Sequence, residues 1–152
     1  MAGVPLDKFS KALGESFAEG DTAHVWRMQE TANVELLGRM VHVIAERRFQ
    51  DLRPHFTDDV SYEIAVPASL PFVRQAAGVD DVVSAIMYNF SVLSEQRTQP
   101  LAVVSQGDTV MVMARENGRM ADTGVPYQAL LAQQFTFRDG KLAVFRSVTQ
   151  IE

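Results

Sequence analysis

The apolar positions along this chain change their spacing twice, and those changes divide it. In LDKFSKALGESFA, Leu6, Phe9, Leu13 and Phe17 recur at steps of three and four, the stripe of a short amphipathic helix. Gly20 closes it, and Asp21 or Thr22 can cap the next helix. AHVWRMQETANVELLGRMVHVIAERRF is long and contains no proline. Leu36, Leu37, Met40, Val41 and Ile44 form its apolar face, and Gly38 weakens it without stopping it. QDLRPHF reads as a short turn of helix, with Pro54 tolerated in the first turn. At VSYEIAV the period drops to two. Val60, Tyr62, Ile64 and Val66 share one side of a strand, and Ser61, Glu63 and Ala65 share the other. Pro67 and Pro71 then impose a loop. Asp80 and Asp81 precede VVSAIMYNFSVL, where Val82, Val83, Ile86, Phe90 and Leu93 are again spaced for a helix.

The rest reads as strand and turn. PLAVVSQ, TVMVMARE, PYQALLAQQFTF and LAVFRSVTQI are strands; QGD, ENGR and RDGK are the turns between them. Helices followed by successive hairpins argue an α+β fold rather than a parallel α/β one. The expected architecture is a curved antiparallel sheet that buries one apolar face against N-terminal helices. One domain spans 1–152, with 1–30 as an N-terminal helical extension, and there is no internal repeat or linker.

Composition narrows the function classes. Hydrophobic residues make up 47% and charged residues 22%, ordinary for a globular protein. The net charge of -5, with no basic stripe, argues against a nucleic-acid partner, because phosphate neutralisation dominates that affinity. With no cysteine there is no disulfide, thiolate zinc site or cysteine nucleophile. The N-terminus lacks an apolar core behind a basic start, and no run approaches the ~18 apolar residues of a membrane span. A cytoplasmic location away from the membrane is therefore expected. GxGxxG, P-loop and GxSxG motifs are absent, so no cofactor is called for. No pair among His24, His42 and His55 has the i,i+4 ligand spacing with an acidic partner, and no HExxH appears, so no metal is expected either.

Individual side chains offer limited chemistry. Glu63 faces outward by strict alternation, toward solvent or a partner; a bulge would turn it inward, where desolvation would suit it to act as a base. Tyr62 and Tyr127 have inward parity and serve either as core or as ligand contacts. Met111 and Met113 are assigned to an inward face, as core filler or as a soft lipophilic lining. His42 lies opposite Met40, and His55 stands near a pocket mouth. Asp58 and Asp59 read as turn and strand-start residues, Asp122 as a rim residue.

FTDDV after the helices, AGVDDVVSAI, SQGDTVMVMARENG, DTGVPYQ and QFTFRDGKLAVF, in that order and spacing, resemble the SnoaL-like and ketosteroid isomerase-like group of the nuclear transport factor 2-like superfamily. The resemblance runs from Asn33 to Ile151. It implies a cone-shaped, cystatin-like α+β barrel with an apolar cavity, and a homodimer joined through the outer sheet face. It does not imply one reaction, since isomerases, cyclases, dehydratases, hydrolases and non-enzymatic binders share this fold. Ketosteroid isomerase needs a carboxylate base and two donors for the enolate. Aligned on FTDD, the base position falls at Ile64 and the tyrosine donor at Met40; the second donor position falls at Gln133. A glutamine amide donates a hydrogen bond but cannot abstract a proton. The aspartate of SnoaL-type cyclases has no counterpart on the last strand, which carries Thr149 and Gln150.

The resemblance and residue parity together imply a cavity lined by Met40, Tyr62, Ile64, Phe90, Met111, Met113, Tyr127, Gln133 and Phe145. Gln133 would orient a ligand carbonyl or hydroxyl, and no proton-abstracting group would stand on that lining. No catalytic residue is assigned. Two functions remain open. The protein binds a small hydrophobic molecule and acts as an isomerase, cyclase or dehydratase of a carbonyl or polyketide-like compound. Alternatively it is a non-catalytic ligand-binding or dimeric interaction module.

Overall fold

The computed structural model describes residues 21–152. Helix α1 spans Asp21–Ala45, and a 3-10 turn over Phe49–His55 leads into strand β1, Phe56–Ala65. The short strand β2, Gln75–Ala77, precedes helix α2, Val79–Ser91. Four long strands complete the chain: β3 Leu93–Gln106, β4 Thr109–Met120, β5 Pro126–Arg138 and β6 Lys141–Ile151. One six-stranded sheet results, in the order β2-β1-β6-β5-β4-β3. Every pairing is antiparallel except β1 with β6, which runs parallel. The sheet curves without closing, and the helices cover one face, the α+β cone expected. The Leu6, Phe9, Leu13 and Phe17 stripe lies outside the described residues.

Helix α1 buries Val34, Leu36, Leu37, Met40 and Val43. Val41, assigned to the apolar face, instead stands 40% exposed, because the helix rolls to present Val43. The 3-10 turn inserts Phe49 and Leu52, the latter fully buried. These side chains meet Phe56, Val60 and Tyr62 of β1, Val82, Val83 and Ile86 of α2, and Val110, Phe135, Phe137 and Leu142 of the outer strands in one core. Polar contacts fix the helices on the sheet. Glu30 accepts from the backbone N–H of Gly107 at 2.9 Å, which holds α1 against the β3–β4 turn. Asp59 of β1 pairs with Arg138 at the end of β5, and that guanidinium holds its carboxyl below the usual range.

The β5–β6 turn is the tight one expected at RDGK. Asp139 and Gly140 both have positive φ, 53° and 73°, as a two-residue turn matching strand twist requires. ENGR, by contrast, is not a turn. Glu116 to Arg119 are paired to β3 on one side and β5 on the other, and the chain reverses only at Ala121–Val125. Gly118 serves packing: a Cβ there would stand 2.5 Å from ring atoms of Tyr127, which lies across it. Leu93 likewise begins β3 rather than ending α2. Strand β2 was not evident in the segment that follows Pro67 and Pro71; it forms because Gly78 N–H and Ile64 N–H bond across the β1 edge.

Two stability outcomes follow from this packing. Leu52→Ala removes a fully buried side chain and is expected to cost about 2–5 kcal/mol, read as a lower urea midpoint at unchanged m-value. Gly118→Ala is expected to cost about 1–3 kcal/mol through collision with the Tyr127 ring. In a Tyr127→Ser background the same change should cost far less; an equal cost in both backgrounds would refute the packing explanation.

Candidate functional site

The candidate site is the helix-facing side of the sheet, and its composition follows from strand parity. On β1 the alternation read from the sequence holds: Val60 and Tyr62 are buried and Ile64 packs against the core. Met40 enters from α1 at 3% exposure, and Phe90 and Phe145 pack onto the same cluster. Gln133 shares this face with Leu131 and Phe135 along β5, in register with Val112 and the buried Ser147. Tyr127 lies on it six residues further along β5.

Met111 and Met113 do not line this face. They stand 43% and 46% exposed on the opposite side, because β4 buries Val110 and Ala114 completely. The run Val110-Met111-Val112-Met113-Ala114 is apolar throughout, so hydropathy could not set the phase of the alternation. The ladders to β3 and β5 set it.

Besides Gln133 and Ser147, two polar groups with hydrogen-bonded clusters break the apolar lining, at different levels of the sheet. The first is Tyr62. Its ring stacks on Phe145 at 5.3 Å between centroids, and Phe145 tilts against Phe135 at 5.1 Å. Asn89 of α2 donates to the Tyr62 oxygen at 2.9 Å. Asn89 is itself locked by Val73, whose N–H it accepts at 2.8 Å and whose carbonyl it meets at 3.0 Å. Burial pushes the Tyr62 phenol up, against the opposing bond from Asn89, so it stays protonated at neutral pH. Its own O–H finds no acceptor among the described residues, which leaves the proton unpaired within them.

The second is Glu116, which the sequence analysis did not single out. It has the parity of Val110, Val112 and Ala114 and is only 9% exposed. The expectation that the inward face carries no carboxylate is therefore corrected. Tyr127 donates to its Oε1. Gln96 donates to Oε2 at 2.9 Å, and Thr98 reaches the same oxygen at 3.4 Å. No cation pairs with it among the described residues. Burial, then the adjacent carboxylate, push the Tyr127 phenol far up, so it remains a donor. The signal was present in ARENG: an acid in phase with buried residues, two positions before a glycine that admits an aromatic ring.

The other candidates stay outside. Glu63 points outward with its side chain 56% exposed, 3.9 Å from Arg146, and the pairing around it is regular from Ser61 to Ala65. His42 is exposed and pairs with Glu46 at 3.1 Å. His55 is half-buried at the end of the 3-10 turn. Asp122 is exposed and accepts from the Thr123 N–H within its own turn. Among the described residues no group of three or more His, Asp or Glu could hold a metal ion, and no helix is long and apolar enough to cross a membrane.

Comparison with known proteins agrees with this geometry. No curated protein matches in sequence. An NTF2-like protein from Burkholderia xenovorans LB400 superposes with a TM-score of 0.67 at 17% identity, over 78% of this chain and 89% of that one. A candidate SnoaL-like polyketide cyclase from Jannaschia sp. CCS1 gives 0.69 at 18% identity, over 79% and 86%. An LEH-like epoxide hydrolase from M. tuberculosis gives 0.62 at 12%, over 79% and 84%. At such identities these show the fold alone. The SnoaL-like domain model, however, matches residues 37–145, most of the chain; the protein belongs to the SnoaL-like family.

Proposed function

We propose that the protein binds a small hydrophobic carbonyl compound between the concave sheet face and the helices. The observation that carries this reading is Tyr62: a buried, neutral hydroxyl, held in place by Asn89, with its proton unused. A phenol so placed orients and polarises a carbonyl oxygen, and the Gln133 amide on the same face adds a second donor. Isomerisation, cyclisation or dehydration of a polyketide-like carbonyl is the chemistry such polarisation would serve. A second reading, non-catalytic binding, is supported by Ile64 at the family's base position and by Glu63 outside.

We also propose that a second copy of the chain covers the outer face of the sheet. Val104, Met111, Met113 and Val148 are 43–60% exposed there. Register puts Val104 beside Met111, and Met113 beside Ala132, which lies next to Val148. The result is an apolar band across four strands, broad enough to call for a partner. The other face is already covered by helices, and a two-fold axis can set such a band against itself.

Both proposals are open to direct measurement. By calorimetry, Tyr62→Phe is expected to weaken a hydrophobic ketone about two- to tenfold and leave the matching hydrocarbon unchanged. Glu63→Gln should alter neither binding nor turnover; turnover lost with binding intact would instead make Glu63 the base. Equal responses of ketone and hydrocarbon would sink the carbonyl assignment. In sedimentation velocity the wild type should run as a dimer and Met113→Glu as a monomer; a monomeric wild type would exclude the interface.

A further inference from the structure

The cluster around Glu116 has a composition that specifies a ligand. We infer that it recognises a protonated amine carried on an apolar body. This rests on the reading that a hydrophobic molecule occupies the concave face, and it names the polar end of that molecule.

The first argument is charge. Glu116 is a buried carboxylate whose described partners are all neutral: Tyr127, Gln96 and Thr98. A buried charge is stable when paired, and this one has no internal counter-ion among the described residues. The neighbouring arginines are turned away by parity and engaged elsewhere. Arg115 approaches Glu152 at 3.6 Å, and Arg119 approaches Glu95 at 3.8 Å and donates to the Gly124 carbonyl. Arg97 pairs in register with outward-facing Asn117 and is exposed.

The second argument is hydrogen-bond valence. A carboxylate offers about four lone-pair sites, and three donors already approach this one. The Tyr127 proton and one N–H of Gln96 are directed into Glu116. What the cluster still turns outward is dominated by acceptors: the remaining carboxylate lone pair, the Tyr127 oxygen, the Gln96 carbonyl and the Thr98 oxygen. An ammonium is the complementary group, with donors only and a positive charge. The Tyr127 ring, fixed across Gly118, adds an aromatic face to the same site.

The third argument is position. Thr98 lies exposed on β3, the edge strand, so the cluster meets solvent at the sheet edge although Glu116 is buried. On its other side Ala114, Ala129 and Leu131 are already packed into a buried cluster that joins the main core through Val112, so the apolar surface left beside the carboxylate is the half-buried Tyr127 ring. Glu116 stands four residues past Val112, about 13 Å along the strand. A ligand would therefore approach from the β3 edge, with its nitrogen at the carboxylate and its apolar body against the Tyr127 ring.

The test compares 1-adamantylamine with 1-adamantanol, equal in shape and different in charge, by titration calorimetry at neutral pH. The wild type is expected to bind the amine about tenfold more tightly than the alcohol. Glu116→Gln should bring the two affinities together. Gln96→Lys should do the same by another route, because it supplies the carboxylate with an internal cation; it keeps the question answerable if Glu116→Gln does not fold. Equal affinities in the wild type, or a preference that survives in the folded variants, would overturn the inference while leaving the concave face as a binding site. Failure of both compounds to bind would overturn both.

Discussion

The uninterrupted pairing of β4 with β5, from Thr109 to Arg119, is the constraint on which the rest depends. A strand held in register on both sides cannot slip by one residue without moving every side chain to the other face. It places Val110 and Ala114 in the core and Met111 and Met113 outside. It also carries Glu116 onto the helix side, because the pairing does not pause at the asparagine and glycine that follow. Gly118 stays in the strand for a packing reason: only a residue without a side chain leaves room for Tyr127 to cross from β5.

Of the polar groups on the apolar face, Tyr62 and Glu116 sit in hydrogen-bonded clusters, and the structure compensates each differently. Tyr62 is held by one bond from Asn89, whose other bonds run to the Val73 backbone, so helix, loop and strand are pinned at one point. That network spends every group except the tyrosine proton. Glu116 is the reverse case: its neighbours spend their donors on it and leave acceptors over. One level of the face is therefore suited to an acceptor such as a carbonyl, the other to a donor such as an ammonium. Buried polar groups are costly unless satisfied, which makes incomplete satisfaction at these points informative.

Fold class was legible because it depends on period. The three-and-four spacing of Leu36, Leu37 and Met40, and the two-residue alternation of Val60, Tyr62 and Ile64, survive any error of a residue or two at the ends. The outward orientation of Glu63 was legible for the same reason, since polar and apolar positions alternate visibly on β1. On β4 they do not. Five consecutive apolar residues carry no phase, and a glycine after asparagine imitates a turn. Both errors fell on one strand and concealed the same residue: placing the methionines inward and ending the strand at Glu116 removed the buried acid of that face from view. The site was hidden because its signal is the register of a ladder, which local composition does not encode.

The positions of Ile64 and Glu116 bear on what kind of chemistry this fold supports here. The superfamily's isomerase places its base on β1, next to the donors that hold the enolate. The resemblance puts that position at Ile64, a hydrocarbon, and the available carboxylate sits near the sheet edge, four residues along β4 from the level of Gln133. About 13 Å is too far for one reacting carbon to meet both a proton acceptor and the donor polarising its carbonyl. Three donors also already occupy most of the carboxylate's lone pairs. In the proposed binding mode, a group so occupied and so placed would hold the far end of a ligand and set its direction along the sheet. Specificity then comes from the spacing between a donor level and an acceptor level, and any reaction would depend on how Tyr62 meets the end of the molecule that Glu116 does not hold.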